Sequence, residues 1–194
     1  MMTDTVTVRR LGPIDAAACV PVLAEVLIDC VEGGASVGFM QPMTVEKATR
    51  FWRTVANAVA RDERVLLVAE DSEGRIVGTV QLVLALPENQ PHRADVAKML
   101  VHRRARRHGI ARRLLQAVEA TAREEGRTLL VLDAVTGGDA ARLYARAGWE
   151  RVGEIPHYAL MPDGAPCSTT VFYKRVPEYP DARMSGRPDE RMPG

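Results

Sequence analysis

Apolar positions along this chain change period repeatedly, and each change marks a predicted element. Residues 5–11, TVTVRRL, alternate apolar and polar side chains and predict an edge-like strand. Asp15 is placed to cap a helix in which Leu23, Val26, Leu27 and Cys30 recur at helical spacing, and Gly33 and Gly34 end it. A second helix starts near Thr44 and carries Val45, Ala48, Trp52, Val55 and Val59 on one stripe. RVLLVAE (64–70) has the apolar continuity of a buried strand, DSEGR makes a tight turn, and IVGTVQLVLAL (76–86) reads as the returning strand of a hairpin. After the loop PENQPHR, ADVAKMLV (94–101) predicts another strand. From Gly109 to about Glu125, Ile110, Leu114, Val118 and Ala122 lie four apart, which predicts an amphipathic helix ended by Gly126. TLLVLD is a short strand, and DAARLYARAG is a short helix closed by Gly148. WERVGEIPHYAL and STTVFYKRV are two last strands around the turn MPDG.

The order is therefore β-α-α-β-β-β-α-β-α-β-β, with no internal repeat. Such an order predicts one mixed α/β (α+β) domain over residues 1–176, a mixed central sheet of about seven strands flanked by four helices. After Val176 the chain turns to PEYPDARMSGRPDERMPG, whose Pro, Gly and charge predict a mobile tail over 177–194.

Composition narrows the picture only a little. The 194 residues suit one domain with a sizeable core, and 46% apolar with 26% charged residues is ordinary for a globular protein. Net charge is +1, from 26 basic against 25 acidic residues, without the basic excess expected of a nucleic-acid binder. No apolar run approaches the ~20 residues needed to cross a bilayer, and the first residues lack a signal-peptide pattern, so a cytoplasmic location is expected. Cys19, Cys30 and Cys167 form no CxxC pair. Cys19 and Cys30 fall on one predicted helix roughly 16 Å apart. That exceeds the ~7 Å a disulfide tolerates, so buried free thiols on one helix face are expected.

What charge there is concentrates in VHRRARRHGIARRLL (101–115), with six arginines and two histidines around Gly109. A strand precedes this run and a helix follows it. The first amides of a helix lack internal partners and carry the positive end of its dipole, which makes a phosphate site of bare backbone. Gly109 and the small Ala111 let a phosphate approach closely, while Arg106, Arg107 and Arg112 add mobile positive charge. A diphosphate suits this geometry better than a nucleic acid, because no aromatic residues interleave for base stacking. Arg103, Arg104 and Arg113 are expected to lie in solvent.

Other motifs carry less. GASVG (34–38) fits the G-x-S-x-G nucleophile elbow in letters, but Ser36 follows a helix where the elbow needs a strand. Its glycines suit a flexible loop at an acceptor site, with Phe39 and Met40 either lining that site or packing in the core. His92, His102, His108 and His157 show no metal-ligand spacing, so no metal is expected.

The stretch RRHGIA matches the R/Q-x-x-G-x-G/A signature of the GNAT superfamily of N-acetyltransferases at Arg106, Gly109 and Ala111. ARLYARAGWERVG (141–153) resembles that family's L-Y-x-x-x-G-F/W segment, and the element order resembles its fold from residue 5 to 176. More narrowly, GGASVGFMQPMT, HRADVAKMLV, DAVTGGDAARLY and YALMPDG look like the tabtoxin-resistance branch, associated with acetylating a small amino-acid-derived β-lactam toxin. Two positions depart from the family pattern. Gly137 stands where an asparagine is frequent, and Asp133 stands at the end of the fifth strand where an apolar residue is usual.

The resemblance implies direct transfer of acetyl from acetyl-coenzyme A, the co-substrate, to a primary amine of a small molecule, in a monomer or homodimer. It assigns the pyrophosphate to Arg106, Arg107, His108, Gly109, Ile110, Ala111 and Arg112. It assigns the thioester carbonyl to a backbone amide among Met99, Leu100 and Val101, and protonation of the leaving thiolate to Tyr144. A protonated amine must lose a proton before it can attack, and Asp133, then Asp95, are the candidate bases. Protein amino groups as acceptors, or a non-catalytic acetyl-coenzyme A sensor, are the alternatives.

Overall fold

The computed structural model describes residues 6–177. All of the predicted tail except Pro177 lies outside them. Seven strands form one mixed sheet in the order β1-β2-β3-β4-β5-β7-β6. They are β1 (Thr7–Arg10), β2 (Arg64–Glu70), β3 (Ile76–Val83), β4 (Arg93–Val101), β5 (Leu129–Val135), β6 (Glu150–Leu160) and β7 (Pro166–Arg175). The helices described are α1 (Pro13–Ala18), α2 (Val20–Glu32), α3 (Val45–Ala60), α4 (Ile110–Glu124) and α5 (Asp139–Arg146). All pairings are antiparallel except β4 with β5.

The mixed sheet is as expected, but the described residues form five α-helices rather than four. The first predicted helix breaks at Cys19, because Pro21 has no amide to donate into the preceding turn. Gly12, not Asp15, is the N-cap of α1, with Pro13 entering the first turn. Cys19 consequently sits at the junction between two helices and is only half-buried, as is Cys167, whereas Cys30 is buried; all three are free. Thr44 caps α3 by accepting from the Lys47 amide, but Val45 of its predicted stripe is exposed. Residues 84–86 fall outside β3.

Each sheet face has its own core. Val65, Leu67, Val80, Leu82, Ala94, Leu130 and Leu132 meet Ile110, Leu114, Val118 and Ala122 of α4, and Tyr144 of α5, on one face. Leu66, Val68, Ile76 and Leu100 meet Leu23, Leu27, Trp52 and Val55 of α2 and α3 on the other. α4 lies close on β3 because Gly78 has no side chain. A Cβ there would come within 3.0 Å of the Leu100 carbonyl and 3.1 Å of Leu114.

One buried charge ties α4 to the far strands. Glu119 accepts from Trp149 Nε1 at 3.0 Å and from Lys174 Nζ at 2.8 Å, and Lys174 also donates to the Ala147 carbonyl. Glu119→Ala strands the Trp149 donor and leaves the Lys174 charge without its counter-ion in a mostly buried place, so a loss of about 3 kcal/mol is expected. Urea unfolding checks this as a lowered midpoint at unchanged slope.

Candidate active site

The site begins with a misfit between strands. β3 and β4 pair at Gln81↔Ala97 and again at Thr79↔Leu100, so the extra residue in β4 makes a bulge. Lys98 takes it up with φ +50, a left-handed conformation uncommon outside glycine. The bulge resets the alternation of side chains. Val96 faces the α4 core, Leu100 faces the opposite core, and Met99 and Val101 return to the α4 side. A bulged strand bends, and β4 pairs with β5 only from Arg93↔Leu129 to Asp95↔Val131. Past Asp95 the two strands share no ladder, which leaves the β4 edge along Met99, Leu100 and Val101 open toward a cleft.

The basic loop closes the end of this cleft. After Val101 the His102 amide donates to the Val77 carbonyl, a single 3-10 turn spans Arg103–Ala105, and the chain then enters α4. Arg107 (φ +68) and Gly109 (φ +75) are both left-handed. For arginine that conformation costs about 1–2 kcal/mol, strain of the kind held at ligand sites. Gly109 is the N-cap and no side chain caps the helix, so the amides of Ile110, Ala111 and Arg112 point outward without intrahelical acceptors. A Cβ at Gly109 would meet nothing within 4 Å, so the space before these amides is open. Arg106, Arg107, His108 and Arg112 are exposed around it. This is an anion cradle.

Two arginines expected in solvent are exposed, and each also holds a structural bond. Arg103 donates to Asp29 of α2 through its amide (2.7 Å) and its Nε (2.9 Å), and Arg113 Nη1 donates to the Val6 carbonyl at 2.7 Å. Burial pushes the Asp29 carboxyl up, but the Arg103 hydrogen bonds and the charges of His102 and Arg103 outweigh it and hold it below the usual range. Asp29 therefore clamps the loop to α2. No local signal marks it, because its partner is 74 residues away.

The candidate acid–base residues lie on opposite faces of the sheet, near enough for the charge of Asp133 to act on Tyr144. Leu130 and Leu132 face the α4 core, so Asp133 faces the opposite side of β5, where it is exposed and makes no ion pair among the described residues. The Thr169 hydroxyl lies 3.0 Å from both Asp133 Oδ2 and the Ala134 carbonyl, and its one proton serves either. Tyr144 packs between Trp149 and Phe172 on the α5 side. Burial, then the charge of Asp133, push its hydroxyl up to about 12, so it stays protonated across the working pH range. Its hydroxyl has no hydrogen-bond partner among the described residues. Asp95 stands at the last rung of the β4–β5 ladder and pairs with Arg93.

The loop after α2 covers part of the same face. Phe39 is half-buried against the Phe51 ring (centroids 5.1 Å apart) and Met40 is exposed, so the two divide between core and lining. Ser36 Oγ donates to the Leu160 carbonyl, in a loop that follows a helix, which excludes a nucleophile elbow. Gly137 is left-handed and its carbonyl accepts from Arg142. Among the described residues no three His, Cys, Asp or Glu gather as metal ligands would, and no helix is long and apolar enough to cross a membrane.

Comparison with known proteins identifies the family and the fold. Residues 36–149 match the model of the acetyltransferase (GNAT) family. An uncharacterized N-acetyltransferase from the hisH–hisA intergenic region of Azospirillum brasilense is 37% identical over 134 residues, 68% of this chain and 76% of that protein. Among solved structures, an N-acetyltransferase from Staphylococcus aureus Mu50 superimposes with TM-score 0.73 at 16% identity, covering 89% of this chain and 99% of that one. The structure of yncA from Salmonella typhimurium with its cofactor acetyl-CoA superimposes with TM-score 0.70 at 17% identity, covering 96% of this chain and 99% of that one.

Proposed function

Because the chain belongs to the acetyltransferase (GNAT) family, acetyl-CoA-dependent acyltransferases, we propose that it transfers acetyl to the primary amine of a small molecule in the cytoplasm. Amino-acid-like amines, β-lactam toxins of the tabtoxin kind included, are the first candidates.

The observation that carries this reading is the splay of β4 from β5, which runs from an anion cradle at one end to Asp133 and Tyr144. The cradle fits a diphosphate: three outward helix amides, an open approach at Gly109 and three exposed arginines. Arg106, Arg107, His108, Gly109, Ile110, Ala111 and Arg112 would hold the pyrophosphate, with Met99, Leu100 and Val101 along the open β4 edge. When bound, acetyl-CoA supplies an acetyl group already activated as a thioester. The protein's own part is proton handling. Asp133, exposed and without a cation of its own, accepts a proton from the incoming ammonium, directly or through water. Asp95 is the second candidate, held back by its pairing with Arg93. Tyr144, kept neutral by burial and by Asp133, holds the proton a departing thiolate needs.

Coenzyme A release, followed with free amino acids, polyamines, β-lactam amino acids and peptides, tests the assignment. Turnover with small amines is expected. Turnover with peptides alone would favour a protein acceptor, and tight acetyl-CoA binding with no turnover would favour a sensor.

A further inference from the structure

The sheet face that carries Asp133 also carries a row of groups with no local sequence signature. Arg64 on β2, Gln81 on β3 and Lys98 on β4 lie on adjacent strands. Gln81 is paired with Leu66 on one side and with Ala97 on the other. Leu66 belongs to the α2–α3 core, so Arg64 shares its face. Gln81 joins them because Val80 and Leu82 face α4. Lys98 points the same way, with its ammonium 5.6 Å from the Phe39 ring centroid and 5.7 Å from that of Phe51.

These groups are one-sided in charge. Among the described residues neither Arg64 nor Lys98 has a carboxylate within ion-pair distance, and burial pulls the Arg64 guanidinium down while the charge of Glu63 works against it. Burial, then Arg64, pull the Lys98 ammonium down, while Asp133 works against them. Gln81 is fully buried, its carbonyl accepts from Arg64 Nη1, and its amide nitrogen has no acceptor. Buried donors are normally paired, so an unpaired one beside two cations marks a place for acceptor oxygens. Phe51 and Arg64 also border a cavity of about 200 Å³ between α3 and the β2–β3 hairpin, whose lining includes Glu63 as well.

We infer that Arg64, Gln81 and Lys98 form an anion subsite for a carboxylate of the acceptor, whose amine faces Asp133. The inference rests on the transferase reading above and narrows it to amines that also bear a carboxylate. Lys98 is the specificity-determining residue. The bulge that opens the cleft is what turns it onto this face, and the two aromatic rings confine its ammonium through cation–π attraction. An acid held here keeps a charge-assisted hydrogen bond that its ester or its decarboxylated analogue cannot make.

The test compares α- and ω-amino acids with their methyl esters and with the corresponding decarboxylated amines, by coenzyme A release. The wild-type enzyme is expected to favour the best acid over its ester by at least about tenfold in kcat/KM, a difference carried mainly by KM. Lys98→Met keeps an unbranched chain against Phe39 and Phe51, and it should cut that preference to within about twofold. Lys98→Arg should restore most of it. Arg64→Gln serves as the second variant should Lys98→Met fail to fold. Equal use of acid, ester and decarboxylated amine by the wild type overturns the subsite, as does a Lys98→Met loss that falls equally on all three. Turnover with peptides but not with amino acids overturns it together with the small-molecule acceptor, and leaves only acetyl transfer itself standing. No turnover with any amine overturns both.

Discussion

Replacing Gly109 with glutamate is expected to weaken acetyl-CoA binding by at least about a hundredfold, some 2.7 kcal/mol, in a protein that still folds. Two effects add. The left-handed backbone at φ +75 resists any L side chain, and a carboxylate is placed before the amides of Ile110, Ala111 and Arg112, where the phosphates approach. The first effect costs about 1–2 kcal/mol of stability. In a domain of this size that lowers Tm by roughly 2–8 °C. Folding survives because a Cβ there meets no neighbour within 4 Å. Gly109→Ala separates the two, sharing the strain without the charge, and should lose far less affinity. Titration calorimetry of the folded variants decides the matter. Unchanged affinity in Gly109→Glu would remove the loop from the cofactor site.

Tyr144→Phe is expected to lower turnover by about tenfold to a thousandfold with acetyl-CoA affinity little changed, the signature of losing a positioned acid. The ring's packing against Trp149 and Phe172 is retained, so stability should hold. The hydroxyl's pKa is pushed up to about 12, so it is protonated well above neutrality. An acid with a raised pKa loses its proton only as pH climbs through that value, so no falling limb from Tyr144 is expected below about pH 11. Asp133→Asn separates base from grip. As a base, its loss depresses turnover most at neutral pH, with partial recovery at high pH where the amine sheds its own proton. If Asp133 only holds the ammonium, the acceptor KM rises and turnover at saturation is spared. Wild-type kinetics in both variants would move proton transfer to Asp95 or water.

Much of this protein is legible in local spacing. Ile110, Leu114, Val118 and Ala122 all turn into the core, as their four-residue interval demands, because a helix shows one face every 3.6 residues. Thr44 caps its helix, and Gly109 stands where strand gives way to helix, so the anion cradle could be located from one short run of letters. The first helix misled for a reason also present in the letters, since Pro21 interrupts a stripe that otherwise runs unbroken from Ala16. Asp15 lies inside the helix rather than capping it, because Pro13, with its φ preset and no amide to lose, suits the first helical position.

What the sequence by itself determined is thus what a few neighbouring residues decide: the elements, their buried stripes, the basic loop and Tyr144 on its short helix. Only the tertiary structure decided which distant groups meet. Alternation in β4 predicts no bulge, yet the extra residue at Lys98 reverses the faces of all that follow and parts β4 from β5. It brings the charge of Asp133 within reach of Tyr144 and leaves Asp95 with Arg93, a choice the two carboxylates' surroundings in sequence could not make. It draws Arg103 to Asp29, and it lines up Arg64, Gln81 and Lys98 from three strands. The physical reason is range. Capping and helical periodicity act within one or two turns, whereas strand register is set by the pairing of whole strands, and a one-residue shift there changes every side chain's face at once.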